Sequence, residues 1–260
     1  SYTNYLAYYN VEQALYFMNQ FEVGDELFVR QGLDFLKRLY LPVPNEDNII
    51  PQDDTFLSKP EIDLTPYKQT QGSQAILLDY SRAEVNEMQI LKQADTVMLL
   101  YLFPDLFPKE VVAKNLHYYE EHTIHDSSLS KAIHAIVAAR CDDEEAAYQF
   151  FKEACLIDLG PNPHSSDEGI HAASLGAIWL TALFGFANIS QVGGPLTFNP
   201  KLPRNWSVLT FPLTYQGRKL TVKLTHEHVE IVKLAGMDLD VVINGNEYHL
   251  SDQVEAEVKN

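Results

Sequence analysis

Two short stretches place hydroxyls, a glycine and imidazoles just ahead of apolar helical runs. His125-Asp126-Ser127-Ser128-Leu129-Ser130 opens a run over 128–141, and His164-Ser165-Ser166-Asp167-Glu168-Gly169-Ile170-His171 opens one over 168–187. The unpaired N–H groups and the dipole at a helix start both favour a bound anion. Serine and glycine let that anion approach, and His171 adds an imidazole nearby. One antiparallel helix separates the two runs, so they are expected to point the same way and to share one rim. A tetrahedral oxyanion held between the two starts is one reading. Capped helix ends with a core histidine are the other.

Lys92 is four residues past Met88 and seven before Leu99, in a run over 84–102 with helical apolar spacing. That predicts an ammonium on an apolar face, with Gln93 beside it. There it snorkels, pairs with an acid such as Asp95, or meets an anionic or sugar ligand. Glu120-Glu121 and Asp142-Asp143-Glu144-Glu145 suggest a carboxylate pair, but the second group opens a helix, where acids complement the dipole. His117, His122, His125 and His134 match neither a HExxH helix nor a Cys/His zinc module, so no metal site is expected. Cys141 and Cys155 make no disulfide framework and fit small buried thiols of a reducing compartment.

The elements that must position these groups change character along the chain. Of 260 residues, 19 are Lys or Arg and 36 are Asp or Glu, for a formal net charge of −17. Phosphate-rich partners would be repelled, so neither nucleic acid nor an anionic membrane surface is expected. With 46% hydrophobic residues the chain can bury a sizeable core. No apolar run spans a bilayer, and a cytoplasmic location is expected. Apolar residues recur at helical spacing up to about residue 195 and alternate afterwards. This predicts a mainly α protein with a β domain. Helices are expected near 2–20, 22–36, 84–102, 106–120, 128–141, 143–157 and 168–187. Antiparallel strands follow near 207–216, 218–226, 229–235 and 240–249, with hairpin turns at Gln216-Gly217 and Asn244-Gly245-Asn246. The boundary is expected in Gln191-Val192-Gly193-Gly194-Pro195, giving domains 1–195 and 196–260. Residues 40–83 hold five prolines and predict a long connection that is functional or covers another surface; Asp53, Asp54, Lys59 and Tyr67 lie in it.

The order of these pieces resembles the C-terminal part of glycoside hydrolase family 65 disaccharide phosphorylases. The matching stretches are Tyr2-Thr3-Asn4, Ile49-Ile50-Pro51-Gln52-Asp53, Lys92-Gln93-Ala94-Asp95, Tyr118-Tyr119-Glu120, His125 to Ser130, Gly169-Ile170-His171-Ala172-Ala173-Ser174-Leu175-Gly176 and Leu196-Thr197-Phe198-Asn199-Pro200-Lys201-Leu202-Pro203. The resemblance implies the second part of an (α/α)6 barrel followed by a C-terminal antiparallel β-sandwich. It also implies inverting phosphorolysis without a cofactor. Phosphate attacks the anomeric carbon while one Glu protonates the leaving oxygen, so a phosphate cradle replaces the water-activating carboxylate of an inverting hydrolase. Carried over residue by residue, Ser127, Ser128, Gly169 and His171 are the phosphate-binding residues, and Lys92 and Gln93 contact the glucosyl unit.

In the family the general-acid Glu precedes the stretch that is Tyr2-Thr3-Asn4 here. The chain is therefore expected to be part of a longer protein, to hold no catalytic residue, and to be inactive by itself. The expected substrates are inorganic phosphate and a disaccharide, with maltose first and kojibiose, nigerose and trehalose as alternatives, giving β-glucose 1-phosphate and glucose. A homodimer is expected for the parent, and self-association through an uncovered apolar face for this chain. The competing readings are a non-catalytic carbohydrate-binding or interaction module and, behind it, a hydrolase on the same barrel.

Overall fold

A computed structural model of the chain describes residues 1–68, 75–161, 169–191 and 194–258. It divides into two compact units, Ser1–Ser127 and Ser128–Asn260.

The first unit opens with α1 (Tyr2–Gln20) and α2 (Glu26–Arg38), close to expectation. Asp25 caps α2 by accepting from the Leu27 N–H at 2.7 Å, and Lys37 and Arg38 complement its C-terminal dipole. Gly32 lets the two helices close: a Cβ there would stand 3.1 Å from Leu15 Cδ2.

The long connection covers α7 (Lys109–Glu121). Asn115 on α7, wholly buried, accepts from the Ile50 N–H at 2.8 Å and donates to the carbonyls of Asn48 at 2.7 Å and Val111 at 2.8 Å. The Tyr119 hydroxyl donates to the Ile50 carbonyl. Three of the four polar residues singled out along this connection, Asp53, Lys59 and Tyr67, serve as fasteners. Asp53 accepts from the Thr55 N–H and hydroxyl and from the Phe56 N–H, and Lys59 donates to the Asn86 carbonyl at 2.8 Å. Tyr67 donates to Asp79 at 2.8 Å. Short turns punctuate the segment: a 3-10 turn at Phe56–Ser58, α3 (Thr65–Lys68), α4 (Ile76–Asp79) and α5 (Arg82–Asn86), the last closed by a Ser81/Glu84 capping box.

The continuous helix expected over 84–102 is not formed. After α5 the chain is irregular until α6 (Thr96–Leu102). Tertiary bonds replace the helical ladder there. Buried Gln89 donates from its backbone and side chain to the carbonyls of Pro60 and Lys59, at 3.0 and 2.7 Å, and takes a bond from the Tyr118 hydroxyl. Leu91 pairs in parallel with Thr123.

In the second unit α8 (Ser130–Arg140) and α9 (Glu144–Leu159) form an antiparallel pair, tied by Lys131 to Glu153 at 2.6 Å. The run expected over 168–187 is α10 (Ala172–Leu180) continued by a π-helical turn, Thr181–Phe186. The proposed start at Ser165, Ser166 and Asp167, with His164 and Glu168, lies outside the described residues, as do Val192 and Gly193 of the boundary stretch. The run runs parallel to α8, as the sequence predicts. Ser174 bonds to Ser128, Thr181 to Ala132, and Arg140 to the Phe184 carbonyl. The sequence of this helix is apolar nearly all round, yet Trp179 is 50% exposed and Ala172, Ala173 and Gly176 are exposed. Its apolar circumference exceeds what α8 and α9 cover within this unit. Cys141 and Cys155 are half-buried and share no disulfide, and burial pushes the Cys155 thiol up.

Two four-stranded sheets follow. One has the order β1 (Ile189–Ser190), β2 (Leu196–Phe198), β6 (Leu239–Ile243), β7 (Asn246–Leu250). The other has β3 (Leu209–Tyr215), β4 (Arg218–Leu224), β5 (His228–Ala235), β8 (Gln253–Glu257). All pairs are antiparallel except β2 with β6, which the sequence reading did not foresee. Leu220, Val222 and Leu224 point into the core with Phe198, Phe211, Ile231 and Val241, as their alternation predicts. Both expected hairpin turns hold two successive positive φ values, Gln216 and Gly217 at 46° and 79°, Asn244 and Gly245 at 49° and 77°, which suits the strand twist.

Candidate functional site

The segment carrying Lys92 and Gln93 is irregular and exposed, so the helical apolar-face placement of Lys92 is corrected. The cause is the break between α5 and α6, which removes the helical periodicity on which that placement rested. A different device stands just before the pair. The Leu91 N–H donates to the His122 carbonyl at 2.8 Å, and the Ile124 N–H donates to the Leu91 carbonyl at 2.9 Å. This isolated two-bond parallel bridge sets Leu91 beside Thr123, in the segment that leads through His125 and Asp126 to Ser127. His125, at a φ of 54°, turns the chain and sets its Nε2 2.9 Å from Glu120 Oε2. Burial pushes the Asp126 carboxyl above the usual range, while the cations of Lys92 and His125 pull it back down. Lys92 and Gln93 follow this bridge directly in the chain, and Ser127 lies three residues beyond Ile124, all within the first unit.

In the second unit, Ser128 is tied to the first turn of α10, the helix that His171 precedes. The hydroxyl of Ser174, in the first turn of α10 and 1% exposed, donates to the Ser128 carbonyl at 2.8 Å. His171 is the N-cap residue of α10. Gly169, two residues earlier, is exposed with a φ of 109°, a region open to glycine. A Cβ there would meet nothing within 4 Å, so backbone conformation and not crowding is what glycine supplies.

Sequence reasoning missed the partner of His171. Asp158, in the last turn of α9, accepts from the His171 backbone N–H at 2.8 Å and faces its Nδ1 at 2.9 Å. The ring hydrogen bond from His171 does most to hold the Asp158 carboxyl below the usual range; the backbone N–H and the ring's charge add to it, and desolvation opposes them. No sequence spacing links positions 158 and 171. The available signal was an acid in the C-terminal turn of a helix, where the dipole disfavours it. Glu144 and Glu145 lie in the first turn of α9, with Asp143 as its N-cap accepting from the Ala146 N–H at 3.1 Å, as the dipole argument requires.

The starts of the parallel helices α8 and α10 carry hydroxyl and imidazole groups. Residues 1–180 match the family model described as glycosyl hydrolase family 65 central catalytic domain, and residues 190–250 match glycosyl hydrolase family 65, C-terminal domain. A kojibiose phosphorylase of Escherichia coli strain K12 is 53% identical over 92% of this chain and 32% of its own length. A maltose phosphorylase of Bacillus subtilis strain 168 is 30% identical over 92% of this chain and 33% of its own. A solved structure described as a candidate kojibiose phosphorylase from the human microbiome superposes with a TM-score of 0.88 at 25% identity. That match covers all of this chain and 40% of the other. The chain spans about a third of the length of the curated relatives it matches.

Proposed function

The chain belongs to glycosyl hydrolase family 65, and on that premise we propose that it carries the phosphate-binding half of an inverting disaccharide phosphorylase. The observation that carries the reading is the Ser174–Ser128 hydrogen bond, which joins the starts of α8 and α10 so that Ser128 and His171 flank the same end of two parallel helices. Phosphate bound there meets N–H groups, hydroxyls and an imidazole in place of a second carboxylate. That suits a reaction whose nucleophile already carries charge. A phosphate oxygen bonds to the anomeric carbon, the glycosidic C–O bond breaks, and the leaving oxygen takes a proton from a general acid. In this reading that acid is a Glu upstream of Ser1. Ser127, Ser128, Gly169 and His171 contact phosphate, and Lys92 and Gln93 the glucosyl unit. Residues 1–195 belong to the later part of the catalytic barrel and 196–260 to the sandwich domain, with β1 joining the sandwich from the barrel side.

Maltose is the disaccharide expected from sequence. The 53% identity to a kojibiose phosphorylase, against 30% to a maltose phosphorylase, favours kojibiose as the first substrate to try. The test is glucose 1-phosphate release from each sugar plus phosphate, by this chain and by the protein with its upstream sequence restored. The expected result is no release by the chain and release by the longer protein. Activity of the chain alone would place the acid within it, and Glu120 and Glu121 would be the first residues to replace. Silence of the longer protein on all four disaccharides, with sugar binding intact, would favour the binding-module reading. A His171→Ala change in the longer protein is expected to raise the KM for phosphate strongly while the fold persists.

A further inference from the structure

We propose that Asp158 is a positioning residue for His171, fixing the imidazole with its proton on Nδ1 so that Nε2 is the ring atom presented to phosphate. The inference rests on the phosphate role proposed for His171 and adds the residue that makes the ring directional.

Both oxygens of the Asp158 carboxylate are spent on His171: Oδ2 takes its backbone N–H at 2.8 Å and Oδ1 lies 2.9 Å from Nδ1. The Asp158 side chain is 2% exposed while that of His171 is 31% exposed, so the pair is anchored inside and open at the ring. An ionised carboxylate only accepts, and the hydrogen bond holding the carboxyl below its usual range keeps it ionised. Nδ1 must therefore donate, and in the neutral ring the lone pair falls to Nε2. The ring then accepts from a protonated phosphate oxygen, or donates to a bare one once it is itself protonated. Either bond forms through Nε2.

The position of Asp158 argues against a purely structural origin. It lies in the last turn of α9, where carbonyl ends make the field unfavourable for a carboxylate, and no basic residue occupies that turn. A neutral residue would cap the helix at lower cost. What the carboxylate adds is a two-point hold on a residue of another helix, fixing the N-cap backbone and the ring plane of His171 together.

The test has two arms. In this chain, the 15N shifts of the His171 ring report its tautomer; the Nδ1–H form is expected, and an Nε2–H form overturns the inference. This arm needs no variant, so it stands even if Asp158 substitutions fail to fold. In the longer protein, Asp158→Asn keeps the shape and removes the charge, and is expected to raise the phosphate KM about tenfold with sugar KM unchanged. If Asp158 acts through His171, the double variant Asp158→Asn/His171→Ala is no worse for phosphate than His171→Ala alone. An additive double variant, or an Asp158→Asn phosphate KM equal to that of the parent while His171→Ala raises it, overturns the positioning role and leaves the proposed function standing. A His171→Ala enzyme with unchanged phosphate kinetics removes the phosphate role itself, and the inference with it.

Discussion

Replacing Ser174 with Ala tests the contact that joins the two helix starts. The Ser174 hydroxyl is 1% exposed and donates to the Ser128 carbonyl at 2.8 Å, so the substitution removes one bond and leaves a partly buried acceptor unpaired. Such a loss costs about 1–3 kcal/mol, and the better helix propensity of Ala returns roughly 0.5 kcal/mol. The net expectation is about 1 kcal/mol, a fall in melting temperature of about 4 °C for a unit of this size. If that bond also sets Ser128 for phosphate, the same energy appears as a phosphate KM raised about fivefold in the longer protein. Thr181→Val is the control. Thr181 is fully buried and bonded to the carbonyls of Ala177 at 2.9 Å and of Ala132 on α8 at 3.2 Å, further along the same helical run and away from its start. It is expected to lower stability comparably and leave phosphate KM alone. Equal phosphate KM values for Ser174→Ala and the parent would refute the idea that the Ser174–Ser128 contact at the helix starts builds the cradle. An unchanged melting temperature would refute the energetic argument as well.

Asn115→Ala, by stripping the Ile50 N–H and the Asn48 carbonyl of their buried partner, is expected to destabilise the first unit by about 3 kcal/mol, read by chemical denaturation. Lys92→Met removes the cation that pulls the Asp126 carboxyl down against burial, so an NMR titration should place that carboxyl higher in the variant. A carboxyl raised by folding binds protons more tightly folded than unfolded, so this contribution favours folding at low pH and fades as pH rises through the folded-state value. The stability deficit of Lys92→Met should accordingly be absent below about pH 4 and open as pH climbs towards neutral; a deficit independent of pH would contradict the pairing. The aromatic side chains of Tyr16, Phe17 and Phe21, with Leu27 and Phe28, are exposed on α1, α2 and the turn between them. Sedimentation velocity is expected to show concentration-dependent association of this chain, reduced in Phe17→Ser/Phe21→Ser, and a compact monomer throughout would count against it.

How far the fold could be read from sequence depended on whether local periodicity matched the final hydrogen bonds. It did so for α1, α8 and α9 and for the β3–β4 hairpin, where 3.6-residue or two-residue spacing continues to the ends of each element. It failed over 84–102, where the apolar spacing persists while the backbone bonds of 89–91 go to Pro60 and His122. Periodicity reports which side chains avoid water. It does not report where the peptide groups find partners, and in this segment distant chain outbid the local helix. The parallel β2–β6 pair was hidden for the same reason, since its partners lie more than forty residues apart.

The candidate site divides along the same line. Ser127, Ser128, Gly169 and His171 were singled out because serine, glycine and histidine near a helix start suit an anion, and the resemblance to the family gave them their proposed role. Lys92 and Gln93 were picked out as residues, but the feature just before them, a two-bond bridge from Leu91 to residues 122 and 124, has no local signature. Asp158 was not legible as a partner at all, because its meaning lies in a contact between two helices thirteen residues apart. It did leave one trace, a carboxylate where the helix dipole opposes it. A charge placed against its local field needs a compensating partner elsewhere in the fold. At Asp158 that partner is the imidazole on which the phosphate reading depends.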